Sequence, residues 1–210
     1  MKTLLLCSSG QFITNHDLPF LKKPIHEMKM AYITTASKGI SKPSKEKLEK
    51  RMQMALQGFN LEELDIEGKT EQELREILKD KEAIYVEGGS AFYLLKAVRE
   101  SGFDNVVKDL ISKGVLYIGS SAGSYICCPS IEMALWKHQD KYEHCGLTNF
   151  TGLNLVSFLI TVHYKQEYEA LLKEKISQAK YQVKILTDDQ AILVQDDKVE
   201  LIGEGREIQL

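Results

Sequence analysis

Gly119-Ser120-Ser121-Ala122-Gly123 stands behind the apolar run Val115–Ile118 and ahead of Ser124-Tyr125-Ile126-Cys127-Cys128. This is G-x-S-x-G between an expected buried strand and an expected helix, and the chemistry it suits is nucleophilic attack on a carbonyl. A serine hydroxyl is a poor nucleophile. It must stand exposed, beside a base, and close to donors for the oxyanion that develops. A sharp strand-to-helix turn projects Ser121 and aims helix N-terminal N–H groups at the reacting oxygen. The flanking glycines keep Cβ atoms out of that turn. An ordinary Gly/Ser turn can carry the same letters, so a base and an acid must come from elsewhere in the chain.

Five histidines are available. His16 and His26 lie in the Pro-bearing segment after the first expected strand, and His138 and His144 in a polar stretch that reads as solvated loop. His163 ends the apolar run within 154–164, where a parallel α/β sheet exposes its functional edge, and is the candidate base. For the acid, Asp188 and Asp189 both follow the expected strand Val183–Leu186, and the sequence does not choose between them. The chain order Ser…His…Asp argues against an α/β-hydrolase, whose histidine comes last. That fold would need Asp140 or Glu143 as acid, with every catalytic part inside roughly forty residues. A second strand-to-helix turn, Tyr85-Val86-Glu87-Gly88-Gly89-Ser90, has paired glycines whose N–H groups can approach a ligand oxygen closely. With the Ala122 N–H, one from Gly88 or Gly89 would form an oxyanion hole.

The elements that must position these groups alternate along the chain. Thr3–Ser8, Met30–Thr35, Leu61–Asp65, Ala83–Val86 and Val115–Ile118 read as buried strands. Between them, Ser44–Gln57 carries Leu48, Met52, Ala55 and Leu56 on one face, and Thr70-x-x-Glu73 forms a capping box before Leu74, Ile77 and Leu78. Ser90 is expected to cap Ala91–Ser101, and Asp104 a helix through Leu110 and Ile111 that stops at Gly114. Such alternation predicts an α/β fold of three layers: a mostly parallel sheet with helices on both faces. Farther on, Gln166–Ala179 reads as helix. Ala191–Val194 and Val199–Ile202 flank the hairpin connection Gln195-Asp196-Asp197-Lys198, which puts antiparallel strands near the C-terminus. No repeat or linker interrupts the pattern, so residues 1–210 read as a single domain.

Composition narrows the partners. A net charge of −3 and 43% hydrophobic residues imply a globular protein without a nucleic-acid or anionic-membrane partner. The basic run Lys42–Arg51 carries its own acids and reads as a solvated helix face. Cys7, Cys127, Cys128 and Cys145 show no C-x-x-C spacing, which favours a reducing cytoplasm. Lys2 before Leu4-Leu5-Leu6-Cys7 is too short an apolar run for a signal segment, and no stretch reaches transmembrane length.

Taken together, these residues resemble the peptidase E family of serine peptidases, which includes aspartyl dipeptidase and the cyanophycinases. Glu87-Gly88-Gly89-Ser90-Ala91-Phe92-Tyr93-Leu94-Leu95 is similar to the family's G-G-[GN]-x-x-x-L-L segment. Tyr117-Ile118-Gly119-Ser120-Ser121-Ala122-Gly123-Ser124 is close to its nucleophile turn. Cys128-Pro129, Val162-His163 and Leu186-Thr187-Asp188-Asp189-Gln190-Ala191 follow in matching order. The resemblance implies a fold like the class I glutamine amidotransferases, with serine in place of cysteine, Ser121 as nucleophile and His163 as base. The family's acid is usually a glutamate at the position of Asp188, so the acid here is one methylene shorter, and Asp189 is the alternative.

The substrate is less fully implied. Aspartyl dipeptidases carry an Asn-Asp-Met-Pro-like segment where this chain reads Ala134-Leu135-Trp136-Lys137-His138, and an asparagine where it has Tyr125. Preference for an N-terminal aspartate therefore does not carry over. Lys137 and His138 read as solvated loop charges, with pairing to a substrate carboxylate as the alternative. The expectation is a serine-type peptidase acting on small peptides through an acyl-enzyme on Ser121, with no metal or organic cofactor. The alternatives are an esterase or amidase on a non-peptide acyl substrate, and a non-catalytic ligand-binding homologue. A homodimer is compatible with the sequence, which does not specify oligomeric state.

Overall fold

The computed structural model describes residues 1–40, 49, 53–54, 57–137 and 145–210. The helix expected over 44–57 lies largely outside the described residues. Nine strands are described: β1 (Thr3–Cys7), β2 (Met30–Ile33), β3 (Leu61–Leu64), β4 (Ala83–Val86), β5 (Leu116–Ser120), β6 (Leu159–Thr161), β7 (Val183–Ile185), β8 (Gln190–Gln195) and β9 (Lys198–Gly203). Seven of them form one sheet in the order β3-β2-β4-β5-β1-β8-β9. The pairs among β1 to β5 are parallel, whereas β8 runs antiparallel to both β1 and β9.

The interior strands β1, β2, β4 and β5 are buried on both faces, which is why they read as continuous apolar runs, whereas the edge strands β3 and β9 expose charged residues. Leu4, Leu6, Ile33, Ile84, Val86 and Tyr117 point into one core. Their immediate neighbours Leu5, Cys7, Tyr32, Tyr85, Leu116 and Ile118 point into the other. The second core is closed by α1 (Phe12–Asn15) and the 3₁₀ turn Ile25–Glu27. The first is closed by α2 (Glu71–Leu78), α3 (Ala91–Ser101), α4 (Phe103–Ser112), α5 (Ala122–Tyr125) and α6 (Glu169–Gln178). The result is a three-layer α/β fold.

Local signals set most boundaries. Thr70 and Glu73 form the reciprocal capping box of α2, with Thr70 N–H donating to Glu73 Oε2 at 2.8 Å. Ser90 Oγ accepts from Tyr93 N–H and starts α3, which ends at Gly102 with φ 72°. That same Gly102 opens α4, so the helix starts at Phe103 and Asp104 lies in its first turn instead of capping it. The chain passes from α3 to α4 through one left-handed residue, which leaves no extended position for a side-chain cap. The segment expected as one helix from Gln166 begins as a 3₁₀ turn, Gln166–Tyr168, before α6.

One strand pair departs from the sequence expectation. β6 and β7 lie outside the main sheet and form their own two-stranded parallel sheet. Leu159, Ile160 and Leu186 from this region pack into the first core, so the small sheet is bonded to the large one through side chains. His163 therefore sits at the end of a different sheet from Ser121.

Candidate active site

The turn after β5 is held in a conformation that few residues adopt. Ser121 has φ 50° and ψ −105°, and α5 begins immediately behind it as a single turn, much shorter than the expected helix. A non-glycine residue with positive φ is uncommon and persists only where its surroundings over-determine it. Here Ser121 N–H donates to Cys7 O at 3.1 Å, and Ser121 O accepts from Ser124 and Tyr125 N–H at 3.0 and 2.9 Å. Ser124 Oγ is 2.8 Å from Cys7 O and 2.9 Å from Gly119 O, while Tyr117 OH donates to Gly123 O at 2.7 Å.

The two flanking glycines are sterically required. A Cβ on Gly119 would lie 2.6 Å from Gly123 O, and one on Gly123 would lie 2.2 Å from Val86 O. The second glycine turn closes against the same place. A Cβ on Gly88 would come within 3.1 Å of Ser121 Cβ, so the Gly88 backbone lies directly against the serine. Gly89 is pressed on Ala36 O, which accepts Ser90 N–H at 2.9 Å. Ala122 N–H opens α5, a position with no intrahelical acceptor.

His163 follows β6 and also has a positive φ, 55°. Its Nε2 is 3.2 Å from Ser121 Oγ, and its Nδ1 is 2.5 Å from Asp188 Oδ1. Tyr164 N–H to Leu186 O, at 3.0 Å, ties the segment carrying the imidazole to the one carrying the carboxylate. The His163 contact, opposed by partial burial and helped by the Ser8 hydroxyl and Lys137, holds the Asp188 carboxyl below its ordinary range. An ionised Asp188 fixes the proton on Nδ1 and leaves the Nε2 lone pair facing Ser121 Oγ, the arrangement needed to take a hydroxyl proton. The side chains of His163 and Asp188 are 47% and 54% exposed, so one side of the relay is open to an incoming molecule.

Of the two aspartates left open by the sequence, Asp188 touches the imidazole. Asp189 does not bond to it, and its backbone carbonyl accepts Glu204 N–H at 3.0 Å. His16 stacks on Phe12 with ring centroids 4.3 Å apart, and His26 is exposed in the turn Ile25–Glu27; neither meets Ser121. His138, His144, Asp140 and Glu143 lie outside the described residues. Lys137 corrects the expectation of a solvated charge. Its ammonium donates to Val162 O, next to His163, and lies 5.6 Å from the Tyr168 ring centre. Burial pushes its pKa down to about 8, against the pull of Asp188.

Two neighbours escaped the sequence reading. Tyr125 OH accepts Val162 N–H at 3.4 Å, bracing the end of β6. Ser8, at the carboxyl end of the interior strand β1, bonds both to His163 N–H and to Asp188. The one available signal was the run of small polar residues Ser8-Ser9 at the end of a parallel strand, where such folds place their sites.

Comparison with known proteins agrees with this architecture. The sequence model of peptidase family S51 matches residues 4–202. An uncharacterized peptidase of Pasteurella multocida is 33% identical over 165 residues, covering 78% of each chain. Peptidase E of Escherichia coli is 43% identical over 87 residues, 41% of this chain and 36% of that one. The crystal structure of a candidate peptidase E protein from Listeria monocytogenes superimposes with a TM-score of 0.82 at 27% identity, covering 98% of this chain and all of the other.

Proposed function

On the premise that this chain belongs to peptidase family S51, we propose that it is a serine-type peptidase that hydrolyses small peptides through an acyl-enzyme on Ser121. The observation that carries this reading is the unbroken relay from Ser121 Oγ through the His163 imidazole to the Asp188 carboxylate. Similarity to proteins named peptidase E supports a peptide substrate.

In the proposed cycle Ser121 Oγ attacks the scissile carbonyl carbon while His163 Nε2 takes the hydroxyl proton. The carbonyl oxygen becomes an oxyanion and is received by the Ala122 N–H and one N–H from Gly88 or Gly89. Collapse breaks the C–N bond, and His163 returns its proton to the leaving amine. A water, deprotonated by the same imidazole, then attacks the ester carbon and frees Ser121. Asp188 stays ionised throughout and stabilises the imidazolium. The spacing of Cys7, Cys127, Cys128 and Cys145, with no C-x-x-C pair, supports placing this activity in a reducing cytoplasm.

A panel of dipeptides, including α- and β-aspartyl ones, tests the proposal against wild type and Ser121→Ala. The expected result is cleavage by wild type and a loss of about a thousandfold or more in kcat for the variant, with unchanged far-UV ellipticity. Labelling of Ser121 by a fluorophosphonate without cleavage of any dipeptide would point instead to an esterase or amidase. Absence of labelling and turnover in the folded wild type would leave a ligand-binding homologue.

A further inference from the structure

We infer that Ser8 is a positioning residue that sets the base and the acid in register with the nucleophile, a role that rests on the Ser121–His163–Asp188 reading. β1 pairs with β5 on one side and β8 on the other, so its carboxyl end reaches every segment of the site. Cys7 O accepts Ser121 N–H and the Ser124 hydroxyl. Ser8 Oγ accepts His163 N–H at 2.8 Å and donates to Asp188 Oδ1 at 3.1 Å. Ser8 N–H donates to Gln190 O at 3.2 Å, two residues beyond the acid. Two consecutive residues thus bond to the nucleophile's turn, the base and the acid. The three members come from two different sheets, and this is where those sheets are tied together at the site.

The chemistry of a hydroxyl makes this link directional. It has one proton and two acceptor lone pairs. A backbone N–H can only donate, so the His163 side of the link must use a lone pair of Ser8. The Ser8 proton is left for Asp188, which as a carboxylate can only accept. The link therefore favours an ionised Asp188 and orients the oxygen that also faces His163 Nδ1. It also braces His163 in its left-handed backbone conformation, which needs such support. Ser8 is fully buried and takes no place at the reacting bond. Its loss should therefore slow the chemical step and leave substrate binding nearly unchanged.

The experiment compares kcat and KM of Ser8→Ala, Ser8→Thr and Ser8→Val on the best dipeptide found for the wild type. The expected result for Ser8→Ala is a fall of about 10- to 100-fold in kcat, with KM changed less than about threefold. Thr and Val have the same shape at this buried position. A kcat about tenfold higher for Ser8→Thr than for Ser8→Val isolates the hydroxyl even where both lose stability. In an Asp188→Ala background, Ser8→Ala should cost severalfold less than in the wild type, because its bond to the carboxylate is already gone and only that to His163 N–H remains to be lost. Equal kcat for the Thr and Val variants, or the full Ser8→Ala loss persisting without Asp188, would overturn the inference. Wild-type turnover by Ser121→Ala is a separate failure, of the triad reading itself.

Discussion

Asp188 and Asp189 are adjacent, equally charged and both exposed, yet only one carboxylate meets the imidazole. The choice is made by the turn in which both lie: Gln190 N–H donates to Thr187 O at 3.1 Å, and of the two central residues Asp188 is the one brought against the imidazole. Asp188→Asn should lower kcat by about 10⁴-fold with little change in KM, since an amide can donate to Nδ1 and favour the wrong tautomer. Asp189→Asn should stay within about twofold of wild type, as its side chain plays no part in the relay. Steady-state kinetics on one peptide substrate checks both. The sequence narrowed the proposed acid to this pair and singled out Ser121 and His163 as its proposed partners, and the structure brings Ser121, His163 and Asp188 within hydrogen-bond distance. The sequence could not select within the pair, because which of two adjacent turn residues meets the imidazole depends on how that turn is set against the segment carrying His163.

At the scale of elements, two turns are pressed against each other by glycines. The Gly123 backbone lies on Val86 O, and the Gly88 backbone on Ser121. These contacts differ in what must yield. Gly123→Ala drives a methyl into a strand carbonyl that cannot move, so it should destabilise the fold by about 2 kcal/mol or more, read by urea denaturation. Gly88→Ala meets Ser121 Cβ at 3.1 Å and Ser120 O at 3.3 Å, contacts that shifts of a few tenths of an ångström relieve. Its melting temperature should stay near that of wild type, while kcat falls about tenfold from misplacement of the nucleophile. Both turns were legible in the sequence, because glycine at a strand-to-helix junction has few other reasons to be there. The length of the helix behind Ser121 was not legible. It stops after one turn where Cys127 and Cys128 fold back to receive Leu155 and Asn154, a contact between distant segments.

The whole molecule joins a seven-stranded sheet carrying Ser121 to a two-stranded sheet carrying His163, with Asp188 in the turn that runs from β7 of the small sheet to β8 of the large one. Their shared core contains Ile160 at 0% exposure and Trp136, the chain's one tryptophan, at 8%. Truncating Ile160 to alanine should cost about 2–4 kcal/mol. Unfolding followed by Trp136 fluorescence and by far-UV ellipticity should still coincide, because one core serves both sheets. A fluorescence transition well ahead of the ellipticity transition would mean that the smaller sheet unfolds on its own.

The sequence by itself determined the alternation of strands and helices, the two glycine turns, and the identity of a serine and a histidine suited to acyl transfer. Those features are local: burial on both faces, capping and turn geometry act over a few residues and leave a readable pattern. Tertiary structure alone decided that β6 and β7 pair apart from the main sheet, that Asp188 faces the imidazole, and that the hydroxyl of Ser8 lies between them. Each of these is a meeting of separate segments, 25 residues apart for His163 and Asp188 and 155 to 180 apart for Ser8 and its partners, or a choice of strand partner, set by how the whole core packs.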